Sequence, residues 1–274
     1  MNIIKFLDEF TTDKLQQPMS SRREMFSQLG SISKKAAMLA VPFGLATVGN
    51  KAYAQESGDV PAIFNLALTL EYLEAEFYMK ALESPVLGSS GKAREIYEQI
   101  SQHEDAHVEF LKAALGDAAV DKPTFDFTAG GNFDPFMQNS TTTMDSAYAQ
   151  LLALAQAFED TGVRAYKGQA ANLIGQGGLL TAALQIHSVE ARHASEIRRL
   201  RGLEGWITGN QRGAGMPAAT QPVYDGEQNV EQGGINVTTL GSGSPFSMDS
   251  STQAYDEPMD GETASTIAGL FIVS

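Results

Sequence analysis

Glu104-Asp105-Ala106-His107 and Glu190-Ala191-Arg192-His193 are two copies of one pattern, Glu-x-x-His, each inside a long stretch of helical apolar periodicity. Three residues turn an α-helix through about 300°, so each Glu shares a face with its His and the pair can bind one metal ion. A single copy is usually a solvated Glu beside a satisfied His. Two copies are harder to dismiss: the chain has only four His. With its Glu content, a His has a Glu three positions earlier in roughly 7% of cases.

What precedes each copy decides the reading. Glu71 lies within Leu66-Ala67-Leu68-Thr69-Leu70-Glu71-Tyr72-Leu73-Glu74-Ala75-Glu76-Phe77-Tyr78, and Glu159 within Leu154-Ala155-Gln156-Ala157-Phe158-Glu159-Asp160-Thr161-Gly162-Val163-Arg164-Ala165-Tyr166. Each Glu is embedded in apolar sequence and has a Tyr two helical turns on, Tyr78 and Tyr166. Glu71 precedes Glu104 by 33 residues and Glu159 precedes Glu190 by 31. The chain therefore reads as a duplicated helical hairpin. One half supplies Glu71, Glu104 and His107; the other supplies Glu159, Glu190 and His193. Two facing Glu-x-x-His helices with one Glu from each of two more form the ligand set of dimetal carboxylate four-helix bundles. Glu104 and Glu190 are expected to bridge. Glu74 is a further candidate, with Gly162 in the equivalent place of the second half, and His187 is either an extra ligand or a satisfied core His.

The expected fold is all-α. A first helix runs from about Val60 to Glu83 and ends at Ser84-Pro85. A second runs from about Lys92 to Leu115 and stops at Gly116. The stretch from Asp117 to Thr143 is a long polar crossover, which a bundle needs when its second and third helices run parallel. Thr143 or Asp145 can cap a third helix reaching about Leu173, and the fourth covers about Leu179 to Leu203. Its last turn carries Arg198, Arg199 and Arg201, expected to be solvated and favourable at a helix C-terminus.

Residues 1–54 read as a leader rather than part of the fold. Arg22-Arg23 precede an apolar run from Ala36 to Gly49, too short to span a bilayer. Ala52-Tyr53-Ala54 offers a cleavage site before Gln55, and the twin arginine points to the twin-arginine export machinery. The expected organisation is a signal peptide over 1–54, the bundle over 55–204 and an extended irregular tail over 205–274. Tail anchors are expected at Trp206, Val223-Tyr224, Ile235, Phe246, Tyr255 and Leu270-Phe271-Ile272-Val273, with a helical period from Gly261 to Phe271.

Composition narrows the functional classes. The absence of Cys excludes a disulfide framework, a thiolate metal site and Cys nucleophile chemistry. Removing the leader, with its seven Lys/Arg and four Asp/Glu, takes the net charge from −14 to −17. Such a surface repels nucleic acid and anionic membranes, so no nucleic-acid partner and no stable membrane insertion are expected.

The stretch Leu70-Glu71-Tyr72-Leu73-Glu74-Ala75-Glu76-Phe77-Tyr78 resembles the first helix of ferritin-like domain proteins of the desiccation-related family. Val223-Tyr224-Asp225-Gly226-Glu227-Gln228 with Gly233-Gly234, and Ala254-Tyr255-Asp256-Glu257-Pro258-Met259, resemble that family's tail. The resemblance spans roughly 58–274. It implies a ferritin-like four-helix bundle, an exported location in bacteria and, in plant relatives, an association with stress; with the twin arginine, the expected location is extracytoplasmic and periplasmic. The resemblance also implies ligation at Glu71, Glu104, His107, Glu159, Glu190 and His193. His103 and Val189 stand where soluble dimetal oxygenases often place an Asp just before the motif's Glu, which argues against an oxygenase reaction.

Four carboxylates and two imidazoles suit iron or manganese, and are too many for a structural zinc site. Two Fe ions, or Mn, are the expected cofactors. Two function classes follow. One is an oxidoreductase acting on Fe(II), peroxide or oxygen; the other is a non-catalytic stress protein in which metal staples the bundle.

Overall fold

A computed structural model describes residues 59–243 and 246–273 of the chain. The leader, its twin arginine and the cleavage site before Gln55 lie outside the described residues. Helix α1 (Val60–Glu83) opens with a Pro in its first turn, where a missing N–H costs nothing. It ends at Ser84, whose hydroxyl returns to the Ala81 carbonyl. A 3₁₀ turn over Pro85–Leu87 reverses the chain into α2 (Lys92–Leu115). Helix α3 (Met144–Ala170) is capped by the Thr143 hydroxyl, which accepts from the Ser146 N–H at 3.2 Å. Helix α4 spans Gly178–Leu200, shorter than its apolar period suggests. The N–H of Leu203 returns to the Arg198 carbonyl and that of Gly202 to the Arg199 carbonyl, both at 3.0 Å. That is a Schellman stop, which a periodicity argument running on to Leu203 overshoots.

Side-chain pairings fix the directions. Tyr97, early in α2, donates to the carbonyl of Leu151, early in α3, so these helices run parallel. Tyr78 reaches Glu159 while Tyr166 reaches Glu71, so α1 and α3 run antiparallel. His103 meets His193 and His107 meets Glu190, so α2 and α4 are antiparallel too. The crossover between α2 and α3 must therefore travel the length of the bundle. Far from being only polar, it buries Phe125, Phe127 and Phe136. Phe127 and Phe136 pack with Phe77, Phe158 and Phe271 in edge-on and tilted arrangements with centroids 4.9–6.4 Å apart. Three isolated Phe among Asp, Thr and Gly leave no periodic trace in the sequence.

The chain after α4 lies on the bundle. It contains a two-residue hairpin, β1 (Glu231–Gln232) with β2 (Ile235–Asn236), and two short helices, α5 (Met248–Thr252) and α6 (Gly261–Gly269). Its end is zipped to the crossover, because the Asp126 N–H donates to the Phe271 carbonyl at 2.7 Å and the Val273 N–H to the Thr124 carbonyl at 2.9 Å. The anchors differ in part from those expected. Val223, Tyr224 and Phe271 are buried, as are Ile207, Met216, Met259, Ala264 and Ile267. Trp206, Ile235, Phe246, Tyr255, Leu270 and Val273 are exposed. No helix among the described residues is long and apolar enough to cross a membrane.

One glycine shows how closely this segment is held. A Cβ at Gly168 of α3 would stand 1.8 Å from the Met259 carbonyl oxygen, so a side chain there and the segment cannot share the space. Gly168→Ala is expected to strip hydrogen-exchange protection from 223–260 while α1–α4 keep theirs, and to expose sites to limited proteolysis. Unchanged protection in that span would show that the segment tolerates displacement from α3.

Candidate metal centre

Helical spacing brings all six residues singled out in the sequence to one layer of the bundle. Glu71, Glu104, Glu159 and Glu190 have no exposure to solvent, and His193 is 5% exposed. They form two overlapping groups, Glu71–Glu104–His107–Glu190 and Glu104–Glu159–Glu190–His193, each with four ligand atoms within 4.8 Å of one another. Glu104 and Glu190 belong to both. His107 Nδ1 lies 3.1 Å from Glu71, 3.0 Å from Glu104 and 3.2 Å from Glu190. His193 Nδ1 lies 2.8 Å from Glu104 and 3.3 Å from Glu159.

Four carboxylates this close in a dry interior would repel one another, and the proton affinities of Glu104 and Glu190 reflect it. Burial pushes the Glu104 carboxyl up to about 7 against the pull of His107 and His193. Burial and the charges of Glu104 and Glu71 hold Glu190 well above the carboxylate range. Burial would lower His193, yet Glu159 and Glu104 lift it to about 11. Hydrogen bonds with Glu104, Glu190 and Glu71 raise His107 despite its burial. Even so, Glu104 Oε1, Glu159 Oε2, both oxygens of Glu190 and Nδ1 of His193 are buried without a well-formed hydrogen bond. Orphaned oxygens and an imidazole nitrogen converging on two points are what divalent cations of intermediate hardness satisfy. The donor set fits such ions.

A family model described as Ferritin-like domain matches residues 58–203. The chain belongs to the ferritin-like family. No curated protein matches it at significant similarity.

The ferritin-like bundle adds residues around this layer that the sequence showed only dimly. Glu74 is 2% exposed and stands beside the cluster. Burial, then the charges of Glu190 and Glu159, hold its carboxyl well above the ordinary range. Gly162 borders it: a Cβ there would crowd Glu190 Oε2 at 3.1 Å and touch Glu74 Oε1 at 3.4 Å. One half thus supplies a carboxylate where the other has none.

The two tyrosines are crossed between the halves. Tyr78 donates to Glu159 Oε1, and Tyr166 to Glu71 Oε1 at 2.5 Å. His187 stands apart, half-buried, with Nδ1 2.9 Å from the Val163 carbonyl, a satisfied boundary His. Arg198, expected in a solvated last turn, is instead 3% exposed, with NH2 2.5 Å from Asp160 Oδ2. Tyr224 of the following segment donates to the same Asp160 oxygen at 2.8 Å. Arg198 is still in the last turn of α4, but on the face toward α3, where Asp160 pairs with it and Tyr224 closes over the pair.

Proposed function

We propose that this ferritin-like chain is an exported dimetal carboxylate protein. In this reading Glu71 and Glu159 are terminal ligands, Glu104 and Glu190 bridge, and His107 and His193 cap opposite ends. The observation that carries it is the pair of four-donor groups sharing Glu104 and Glu190. Two iron or manganese ions held there would supply one-electron redox chemistry, directed at Fe(II) as reductant with peroxide or oxygen as oxidant. The protein's own part is to exclude water with a fully buried carboxylate layer and to orient the terminal carboxylates through Tyr78 and Tyr166. Next to the layer lies an apolar cavity of about 20 Å³, bordered by Leu70, Leu111, Tyr166 and Ile186. Leu111 and Ile186 are each one helical turn from a ligand, His107 and Glu190, and the cavity's size and apolar lining suit a small uncharged oxidant rather than a larger substrate.

The leader motif supports delivery by the twin-arginine route to the periplasm, and the strongly negative mature chain argues against nucleic-acid or anionic-membrane partners. The competing reading is a non-catalytic stress protein, desiccation-related in kind, stapled by its metal; the complete burial of the carboxylates favours it. One experiment separates the two. Protein recovered from the compartment where it resides is analysed for its N-terminal residue, its metal content and its turnover of Fe(II) with peroxide or oxygen. An N-terminus at Gln55, two iron or manganese ions and multiple turnovers are expected. Two ions without turnover would leave the staple; zero or one ion would overturn the dimetal assignment; a retained Met1 would overturn cleavage.

A further inference from the structure

We propose that His103 is a positioning residue that fixes the ring and tautomer of His193, and so makes the metal position on the His193 side the tighter of the two. The inference rests on the dimetal reading above. His103 precedes the Glu of the first motif, on α2, and its Nδ1 lies 2.8 Å from Nε2 of His193 on α4. The two ring planes are within 11° of parallel with centroids 5.1 Å apart. With a nitrogen–nitrogen distance of 2.8 Å, that separation describes rings joined edge to edge through one hydrogen bond.

The chemistry follows from which nitrogen faces inward. His193 turns Nδ1 to Glu104 and Glu159, so ligation at Nδ1 requires the remaining proton to sit on Nε2. That N–H needs an acceptor, and Nδ1 of His103 is in place to accept it. His103 then carries its own proton on Nε2, which lies 2.7 Å from the Gln99 side-chain amide. An amide can present its oxygen there by turning over. The chain Gln99–His103–His193 thus holds the ligand in its metal-binding tautomer and increases its donor strength, as hydrogen bonds to the outer nitrogen of a metal-bound imidazole generally do.

The other side has no such support. His107 also turns Nδ1 inward, but among the described residues no side chain hydrogen-bonds its Nε2. The position that matches His103 in the second half is Val189, which can neither donate nor accept. Apart from Glu74, which has only Gly162 as its counterpart, the two ligand groups match, and they differ at this one outer hydrogen bond.

Calorimetric titration of metal-free protein with MnCl2 tests this. Wild type is expected to take up two ions in two resolved steps. His103→Ala should weaken the tighter step by roughly 10- to 100-fold and leave the weaker step unchanged. His103→Asn should recover most of that loss, because Oδ1 of Asn occupies the place of Nδ1 and can accept the same proton. In a His193→Ala background, His103→Ala should have no further effect on the remaining step, a result a general loosening of the bundle would not give. Equal weakening of both steps, no weakening, an Asn variant no better than Ala, or two equal steps in wild type would overturn the proposal. Wild-type protein that takes up no Mn(II) or Fe(II) would overturn the dimetal reading itself, and is recognisable before any variant is made.

Discussion

Glu104→Ala is expected to empty both metal positions at once. Glu104 and Glu190 are the two residues common to both four-donor groups, so removing either carboxylate leaves each group with three ligands and one bridge fewer. His107→Ala, by contrast, removes a donor from one group only and should cost one ion. Metal analysis after exhaustive dialysis distinguishes the outcomes; a Glu104→Ala protein that keeps two ions would refute the bridging role. Metal removal from the wild type should also lower its melting temperature, because the carboxylates then face one another uncompensated. The pH dependence of that metal-free state has a definite sign. The Glu104 carboxyl titrates at about 7 in the fold against an ordinary 4.5. Its contribution to stability is fully present below about 4.5 and is lost as pH rises to about 7. Glu74 and Glu190, whose carboxyls burial and neighbouring charges also hold well above the ordinary range, add to the decline in the same direction. The melting temperature of metal-free protein should therefore fall through this range, while that of loaded protein, with its carboxylates ionised and neutralised by metal, should not.

Arg164→Ala is expected to be the most destabilising single change outside the metal layer. This residue of α3 is 3% exposed and places Nε 2.7 Å from Glu227 Oε1. The same guanidinium donates to the carbonyls of Val223, of Asp225 at 2.9 Å and of Glu257 at 3.0 Å. Truncation would leave a buried carboxylate and three carbonyls without their donor. Breaking a buried pair from one side typically costs about 3–5 kcal/mol, and denaturant unfolding of the variant should show a loss of this order. Hydrogen exchange should locate the loss in 223–260, where the guanidinium binds. Arg164→Lys should rescue little, since one ammonium cannot reproduce the fork. A loss below about 1 kcal/mol would mean that the segment is held mainly by its apolar anchors.

The helix boundaries were legible because each end carries its own chemistry: Ser84-Pro85, Gly116 and Thr143. Only the last helix misled, where a Leu at 203 extends the apolar period past a glycine that stops it. The six residues of the metal layer were legible because the Glu-x-x-His spacing is a direct statement about a helix face. Glu74 was in view as a further ligand candidate and His103 as the residue before the motif's Glu, but not the contacts that each makes. Their role depends on what stands opposite, Gly162 in one case and His193 in the other, and a single chain position does not state its partner. The crossover and the final segment were the least legible. Irregular backbone has no period, so Phe127 and Met259 give no more signal in the sequence than Phe246 and Trp206, although the first two are buried and the last two exposed.

The crossed tyrosines bear on how such a chain can change. If the two hairpins were separate, identical molecules meeting about a twofold axis, one Tyr and one Glu per copy would satisfy both bonds, because each hydroxyl seeks the other copy's carboxylate. In that arrangement any substitution appears twice. A glutamate opposite a glycine is then unobtainable, since the same position cannot be both, and so is a histidine partner at one end of the metal layer only. Joining the hairpins through 116–143 removes that constraint. The Glu74–Gly162 pair and the His103–Val189 pair are two places around the metal layer where the halves of this chain differ as two copies of one hairpin could not.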